Sequence, residues 1–158
     1  MRQIRLHRHS GVRQAIPALL AFALALAGCA GGEDAGADAH DVVFNLQNTG
    51  RQPISCRLIY GHWVERDYGD LAPGAFHADR FRQQASDGAF FTMRPDGRKR
   101  MMIETVQCAS YPNWKETVGQ VDFAPARGQK VDILEARCAL PEGGGRIVCE
   151  PLKAKAAD

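Results

Sequence analysis

Histidine and acidic side chains between residues 62 and 77 are the residue types in this sequence that most often hold metal ions. His62, Glu65, Asp67, Asp70 and His77 fall within 16 residues, and imidazole nitrogens and carboxylate oxygens are common ligands of Zn²⁺. On a strand, however, His62 points away from Glu65 and Asp67, and no His-Glu-x-x-His spacing occurs. These polar side chains are better explained as the solvent-exposed faces of strands, so we expect no metal site. The alternative is a copper or zinc protein that uses His62 and His77 with Met93, Met101 or Met102.

Serine is the other residue type that could carry catalysis. None of the four serines lies in a nucleophile-elbow motif, and no histidine follows residue 77 to act as a base for Ser110. The phosphate-binding loop and the dinucleotide-binding fingerprint are also missing from the sequence. We therefore expect no enzyme activity and no cofactor. The four serines are Ser10, Ser55, Ser86 and Ser110.

Basic residues surround a predicted hairpin turn and form the first candidate binding surface. Arg94, Arg98, Lys99 and Arg100 bracket the Pro95-Asp96-Gly97 turn, and Asp-Gly between two apolar runs is a strong hairpin signal. A cationic hairpin tip is attracted to an anionic bilayer, and it would equally suit an anionic glycan or an acidic protein. The competing interpretation is that these charges keep an exposed hairpin soluble.

Aromatic residues next to a cysteine form the second candidate. Tyr111, Pro112 and Trp114 follow Cys108 closely. Exposed tyrosine and tryptophan are frequent anchors of protein interfaces. The competing interpretation is that the rings pack over a disulfide at Cys108.

Residues 1–28 have the composition of an export signal. Residues 1–14 are polar and cationic, and residues 15–27 are apolar apart from Pro17. A membrane-spanning helix needs roughly 20 apolar residues, and this run is too short. We therefore expect a signal peptide that is cleaved from the mature protein.

The end of the apolar run, Leu26-Ala27-Gly28-Cys29, resembles the lipobox of bacterial lipoproteins. The resemblance implies cleavage before Cys29 and attachment of a diacylglyceryl group to its sulfur, with fatty acids such as palmitate. Because Ala30 rather than aspartate follows, analogy with Gram-negative lipoproteins implies delivery to the outer membrane, with the domain facing the periplasm. Two or three acyl chains hold a protein stably on one leaflet, so a membrane is the first expected partner.

The four remaining cysteines form an even set in a chain that the leader directs to an oxidising compartment, which favours two disulfides. Four cysteines permit three pairings. Cys138 and Cys149 flank a Gly-Gly-Gly turn and can face each other across a hairpin, which would leave Cys56 to pair with Cys108. Because no Cys-x-x-Cys pair is present, disulfides are favoured over a zinc or redox site.

Charge is unevenly distributed along the chain. The 20 basic and 18 acidic residues give a net charge of +2, but the first 28 residues contain four arginines and no acid. From Cys29 onward, 16 basic residues face 18 acidic ones, a net charge of −2. The positive sum belongs to the leader, so it does not indicate a nucleic-acid partner.

The mature domain has the hydrophobic period of β-strands. Val42, Phe44 and Leu46 alternate with more polar neighbours, and residues 54–60 repeat the pattern. About eight short strands, separated by turn residues, predict an all-β fold over residues 41–151, specifically an antiparallel β-sandwich that is immunoglobulin-like or similar. Residues 75–83 are ambiguous between strand and helix.

Both ends of the mature chain are poor in large apolar residues. Residues 29–40 predict a lipidated flexible tether, and residues 152–158 a disordered tail. The leading hypothesis is a lipid-anchored, non-catalytic binding or assembly module of the cell envelope. The alternatives are a periplasmic copper- or zinc-binding lipoprotein, and an envelope inhibitor or accessory subunit that docks on another envelope protein through Tyr111 and Trp114.

Overall fold

The computed structural model describes residues 38–61 and 64–156, all within one compact unit of the chain. Cys29, the leader, His62 and Trp63 lie outside the described residues. Most of the described chain is in β-strands, which confirms the all-β prediction. In chain order the strands are β1 (Ala39–Asn48), β2 (Ile54–Tyr60), β3 (Val64–Leu71), β4 (Phe76–Gln84), β5 (Phe90–Met93), β6 (Arg100–Ala109), β7 (Gly119–Val121), β8 (Ile133–Ala139), β9 (Val148–Cys149) and β10 (Lys153–Lys155).

The ten strands form one mixed sheet in the order β10-β8-β1-β4-β5-β6-β2-β3, with β7 on β6 and β9 on β8. Neighbours run antiparallel except β1 and β8, which are parallel. The predictions of an antiparallel arrangement and of about eight strands are therefore wrong. Alternating hydrophobicity identifies a strand but not its partner, and the parallel pair joins segments at opposite ends of the domain.

Aromatic side chains fill the core. Phe44 on β1 stacks on Phe81 of β4, with ring centroids 4.9 Å apart. Phe123, just after β7, lies 5.7 Å from Phe44 and 5.7 Å from Phe90. All four rings are buried in a single hydrophobic cluster that also includes side chains of β2, β6 and β8. These offset and tilted ring contacts are the geometries that aromatic pairs prefer.

The ordered domain extends past both predicted boundaries. β1 begins at Ala39, which pairs with Gln84, and His40 Nε2 is hydrogen-bonded to the Val131 carbonyl at 2.9 Å. The predicted tether is therefore wrong for residues 39 and 40. The predicted disordered tail is wrong for residues 152–155, because Leu152 is buried and β10 pairs with β8.

The described residues include one short helix, α1 (Trp114–Thr117), and a 3-10 turn at Ala124–Ala126. No helix in this part of the chain is long and apolar enough to cross a membrane.

Cysteine pairs link neighbouring strands at two places. Cys56 lies opposite Cys108 on β2 and β6, and Cys138 lies opposite Cys149 on β8 and β9. The sulfur atoms are 2.13 Å apart in the first pair and 2.05 Å apart in the second. This is the pairing that the Gly-rich turn favoured. In immunoglobulin domains the disulfide joins two sheets, so this arrangement differs from theirs.

Candidate functional site

The outward side of the sheet is the most distinctive surface of the molecule. Along β1, Val42, Phe44 and Leu46 point into the core, so the residues between them point outward. Outward-pointing Val43 lies opposite Arg80 on β4 and opposite Ile133 on β8. The same alternation and register place residues of six strands on one continuous surface.

Six basic side chains share this outward surface. They come from β4, β6, β8 and β10, and four acidic side chains accompany them: Asp41 on β1, Glu104 on β6, Glu135 on β8 and Glu150, whose amide donates to the Arg137 carbonyl. The basic residues are Arg80, Arg82, Arg100, Arg137, Lys153 and Lys155.

Strand β5 connects this surface to the predicted basic hairpin. Phe91 lies opposite Arg82 and Met102, and Met93 lies opposite Arg100. The ring of Phe91 is buried beneath two guanidinium groups, since its centroid is 5.8 Å from Arg82 and 5.0 Å from Arg100. Such cation–π contacts fix the two arginines on the outward side.

The hairpin itself has the predicted turn. The Arg94 amide donates to the Lys99 carbonyl at 2.9 Å, and the Gly97 amide donates to the Arg94 carbonyl at 2.8 Å. Asp96 Oδ1 accepts from the Arg98 amide at 2.9 Å. Asp96 is therefore engaged in shaping the turn, and Arg94, Arg98 and Lys99 are exposed. We call the outward surface together with residues 94–99 the basic face.

Charge is strongly segregated between the basic face and the rest of the domain. The basic face carries nine basic and five acidic residues, a surplus of four positive charges. The remaining described residues carry seven basic and ten acidic residues, a surplus of three negative charges. The near-neutral total thus conceals two surfaces of opposite sign.

Two of the acids on the outward sheet surface, Asp41 and Glu135, are paired with basic neighbours. Asp41 Oδ1 lies 3.5 Å from Arg82 Nε, and Glu135 Oε1 lies 2.6 Å from Lys155 Nζ. The hydrogen bond and charge of Lys155 hold the pKa of Glu135 below its usual value. Glu135 is therefore ionised at neutral pH, and it neutralises only part of the local positive charge.

Apolar side chains are exposed among these charges. Phe76 is 70% exposed, Val43 40% and Met102 39%. Phe76 borders a shallow groove of about 340 Å³ that also touches Asn45, Gln47, Glu135 and Arg137. The basic face therefore combines positive charge with accessible apolar groups.

The aromatic candidates occupy a different surface. Trp114 lies beneath Arg57 on β2, with the guanidinium carbon 4.1 Å from the ring centroid. Arg57 also binds Glu65 at 2.7 Å and Gln107 at 3.1 Å. Trp114 is thus part of a packed charge–aromatic stack and is half-buried, whereas Tyr111 is 80% exposed. The structure does not bring these two residues to the basic face.

The predicted alternative metal ligands are not gathered either. His62 lies outside the described residues. His77 stacks on Tyr68, with ring centroids 4.0 Å apart. Consecutive Met101 and Met102 point to opposite sides of β6, and Met101 packs against the core. Within residues 38–61 and 64–156, no three histidine, cysteine or acidic side chains are placed to share a metal ion.

The surroundings of His77 join β3 to β4 through side chains. Tyr68 donates its hydroxyl hydrogen to Asp79 Oδ2 at 2.7 Å, and Arg66 binds the same carboxylate oxygen. Burial, with the Arg66 charge, lowers the pKa of His77, and burial raises the pKa of Tyr68. Both groups are neutral at pH 7, so the cluster is suited to holding two strands together.

A groove of about 980 Å³ lies at the start of β1, between residues 38–40, 83–88 and 128–130. The side chain of Gln83 lies in this groove and is buried. It is hydrogen-bonded to backbone groups. The amide nitrogen donates to the Gln129 carbonyl at 3.0 Å, and the amide oxygen accepts from the Val131 amide at 3.0 Å. Gln83 therefore positions the 126–131 loop.

Comparison with known proteins adds little. No family model matches the chain, and no curated protein matches it. One solved structure, the NMR structure of a protein from Eubacterium rectale, aligns with this chain at a TM-score of 0.38 and 9% sequence identity. The alignment covers 70% of this chain and 89% of the Eubacterium rectale chain.

Proposed function

We propose that this chain is a lipid-anchored, non-catalytic binding module of a Gram-negative cell envelope that contacts an anionic partner through its basic face. The observation that carries the proposal is the charge segregation, with four surplus positive charges on one surface of a domain whose other described residues carry three surplus negative charges. Complementary charge of this kind accelerates encounter with a partner and orients it.

The anchor in this proposal is Cys29, at the end of the lipobox-like motif. The ordered domain begins at Ala39, ten positions after Cys29. A flexible segment of that length has a typical span of about 17 Å. The domain would then be held near the periplasmic surface of the outer membrane, where the envelope supplies anionic partners.

The proposed fold has two layers around one core, as in a β-sandwich. Two sets of contacts between strands that are not sheet neighbours support this arrangement. The Tyr68–His77 stack joins β3 to β4, and the Ile147 amide, beside β9, donates to the Thr117 carbonyl, beside β7, at 2.7 Å. Side chains of β1, β2, β4 and β6 also belong to one hydrophobic cluster. A sheet that curls onto itself would bury one face in this way.

Binding rather than catalysis is favoured by how the polar side chains are used. The buried amide of Gln83 bonds to backbone, and Tyr68, His77 and Asp79 bond or stack with one another across two strands. These groups have structural partners, whereas the basic face presents a cluster of exposed charges mostly of one sign. A broad surface of that kind suits recognition better than the enclosed site that chemistry needs.

Mass spectrometry of the mature N-terminus tests the anchor. We expect a chain that begins at Cys29, carries a diacylglyceryl group and fractionates with the outer membrane. The Cys29→Ser variant is the control and should lose the lipid. An unmodified Cys29, or cleavage at another position, would contradict the anchored module.

Cation-exchange chromatography of the mature protein tests the basic face. We expect Arg98→Glu with Lys99→Glu to elute at lower salt than the control pair Arg127→Glu with Lys115→Glu, which changes the net charge equally on other exposed surfaces. Retention depends on charges that can face the resin together, because salt screens distant charges. Equal elution of the two variants would contradict a functional charge segregation.

A further inference from the structure

The shape and chemistry of the basic face identify its partner more narrowly. Its basic residues are spread over β4, β6, β8 and β10 and over the hairpin. A small anion or a single acidic peptide is bound by side chains that point to one place. Charges dispersed over a broad sheet match a layer of phosphate groups instead.

The exposed apolar residues support the same type of partner. Phe76, Val43 and Met102 lie among the basic side chains and are 70%, 40% and 39% exposed. Mixed basic and apolar side chains are characteristic of surfaces that lie at a bilayer interface, where the apolar groups enter the headgroup region and the charges meet anionic lipids.

The position of the chain entry point favours the membrane to which the lipid is attached. Arg82 Nη2 donates to the carbonyl of Ala39, the first residue of β1, at 2.9 Å. The basic face therefore begins where the N-terminal segment joins the domain. A short tether keeps the face at a high effective concentration near its own membrane, so weak individual attractions are sufficient.

We propose that the basic face docks on the anionic phospholipid leaflet that holds the lipid of Cys29. In this orientation the outward side of the sheet and the 94–99 turn lie against the headgroups. The acidic remainder of the domain, including the stack of Arg57 and Trp114, faces the aqueous compartment. The inference rests on the proposed function, because it assumes the lipid anchor.

Lysine footprinting on the lipidated mature protein tests this orientation. Lys99 and Lys153 lie on the basic face, Lys115 lies on α1, and all three are exposed. The protein is inserted through its own lipid into vesicles of neutral phosphatidylcholine, or into vesicles with roughly 30% phosphatidylglycerol, and is then acylated. We expect Lys99 and Lys153 to react ~3-fold or more slowly on the anionic vesicles, with Lys115 unchanged, and about 0.5 M salt to abolish the difference.

Matched variants separate docking from a general charge effect. Arg80→Glu with Arg137→Glu should remove the protection of Lys99 and Lys153 on anionic vesicles. Arg127→Glu with Arg146→Glu makes the same change in net charge elsewhere and should retain that protection. Denaturation of each variant checks that it is folded.

Equal acylation on the two kinds of vesicle would overturn the docking and leave the basic face to an acidic protein or glycan. That result would not affect the proposed anchor, because mass spectrometry of the same sample shows whether Cys29 carries lipid. Loss of the lipid from Cys29 would contradict the proposed function itself, since the vesicles would then hold no protein.

Discussion

The two sides of strands β1 and β4 differ in burial and in charge. Inward, Phe44 and Phe81 stack in a closed core. Outward, Val43 and Arg80 lie side by side in the same pair of strands and are exposed. The same backbone ladder therefore supports two surfaces under separate constraints. Packing limits the inward side chains to a narrow range of volumes, whereas the outward ones are free to be selected for binding.

Two phenylalanines on β4 give the largest expected contrast between the sides. Phe81 is 0% exposed and Phe76 is 70% exposed. We expect Phe81→Ala to lower the free energy of unfolding by about 3–5 kcal/mol, through lost burial and a cavity. Phe76→Ala should change it by less than about 0.5 kcal/mol. Chemical denaturation of both variants measures this, and similar losses would contradict the assignment of the two sides.

The disulfides belong to the buried side of this comparison, because Cys56, Cys108 and Cys138 all lie in the hydrophobic core. The pairs enclose sequence separations of 52 and 11 residues. On the chain-entropy model, replacing both members of the first pair by alanine costs about 4 kcal/mol, and replacing the second pair costs about 3 kcal/mol. Denaturation under oxidising conditions measures both losses. Free thiols at Cys56 and Cys108 in the wild-type protein would contradict the first bridge.

Asn48 and Gln47 are adjacent polar residues whose side chains lie on opposite sides of β1. They therefore test the difference between the two sides without aromatic residues. Asn48 is buried, and its amide nitrogen donates to the carbonyls of Gln52 and Leu71, each at 2.8 Å. We expect Asn48→Leu to cost about 1–3 kcal/mol, because buried backbone groups lose their partners. Gln47 points outward, opposite Phe76, so Gln47→Leu should be close to neutral. Thermal unfolding compares the two variants, and equal effects would contradict the contrast.

His77 gives the smallest expected effect, and it depends on pH. Its pKa in the folded protein is lowered by burial and by the charge of Arg66. The unfolded chain therefore takes up a proton more readily, and stability is lost as the pH falls below about 6.5. We expect a smaller loss in His77→Phe, which can still stack on Tyr68. Unfolding measured from about pH 7 to about pH 5 tests this, and an unchanged slope would contradict it.

Local pattern was sufficient to predict the first strands and the basic hairpin. Alternation predicted β1 and β2, and the Asp96-Gly97 turn was predicted from its residues alone. The segment around β4 was ambiguous because Phe76 and Phe81 are five positions apart. On a strand an odd separation places two residues on opposite sides, so one ring is in the core and the other is exposed. No helical or strand pattern with a single buried face could therefore include both phenylalanines.

The basic face could not be predicted because it depends on strand register. Arg80, Arg100, Arg137 and Lys155 are distant in sequence and meet only through pairings of β4, β6, β8 and β10. The near-neutral composition also concealed the separation of charge. The tail was missed for a related reason, since a single apolar residue, Leu152, and pairing with β8 are sufficient to order it.

The central position of β1 has a mechanical consequence. β1 is bonded to β4 over nine residue pairs and to β8 over six, and the chain enters it at Ala39. A pulling force on that end, directed along the strand, loads both ladders at once in shear, so their hydrogen bonds must break together. The ordered domain would thus resist being unravelled from the end that leads to the proposed anchor.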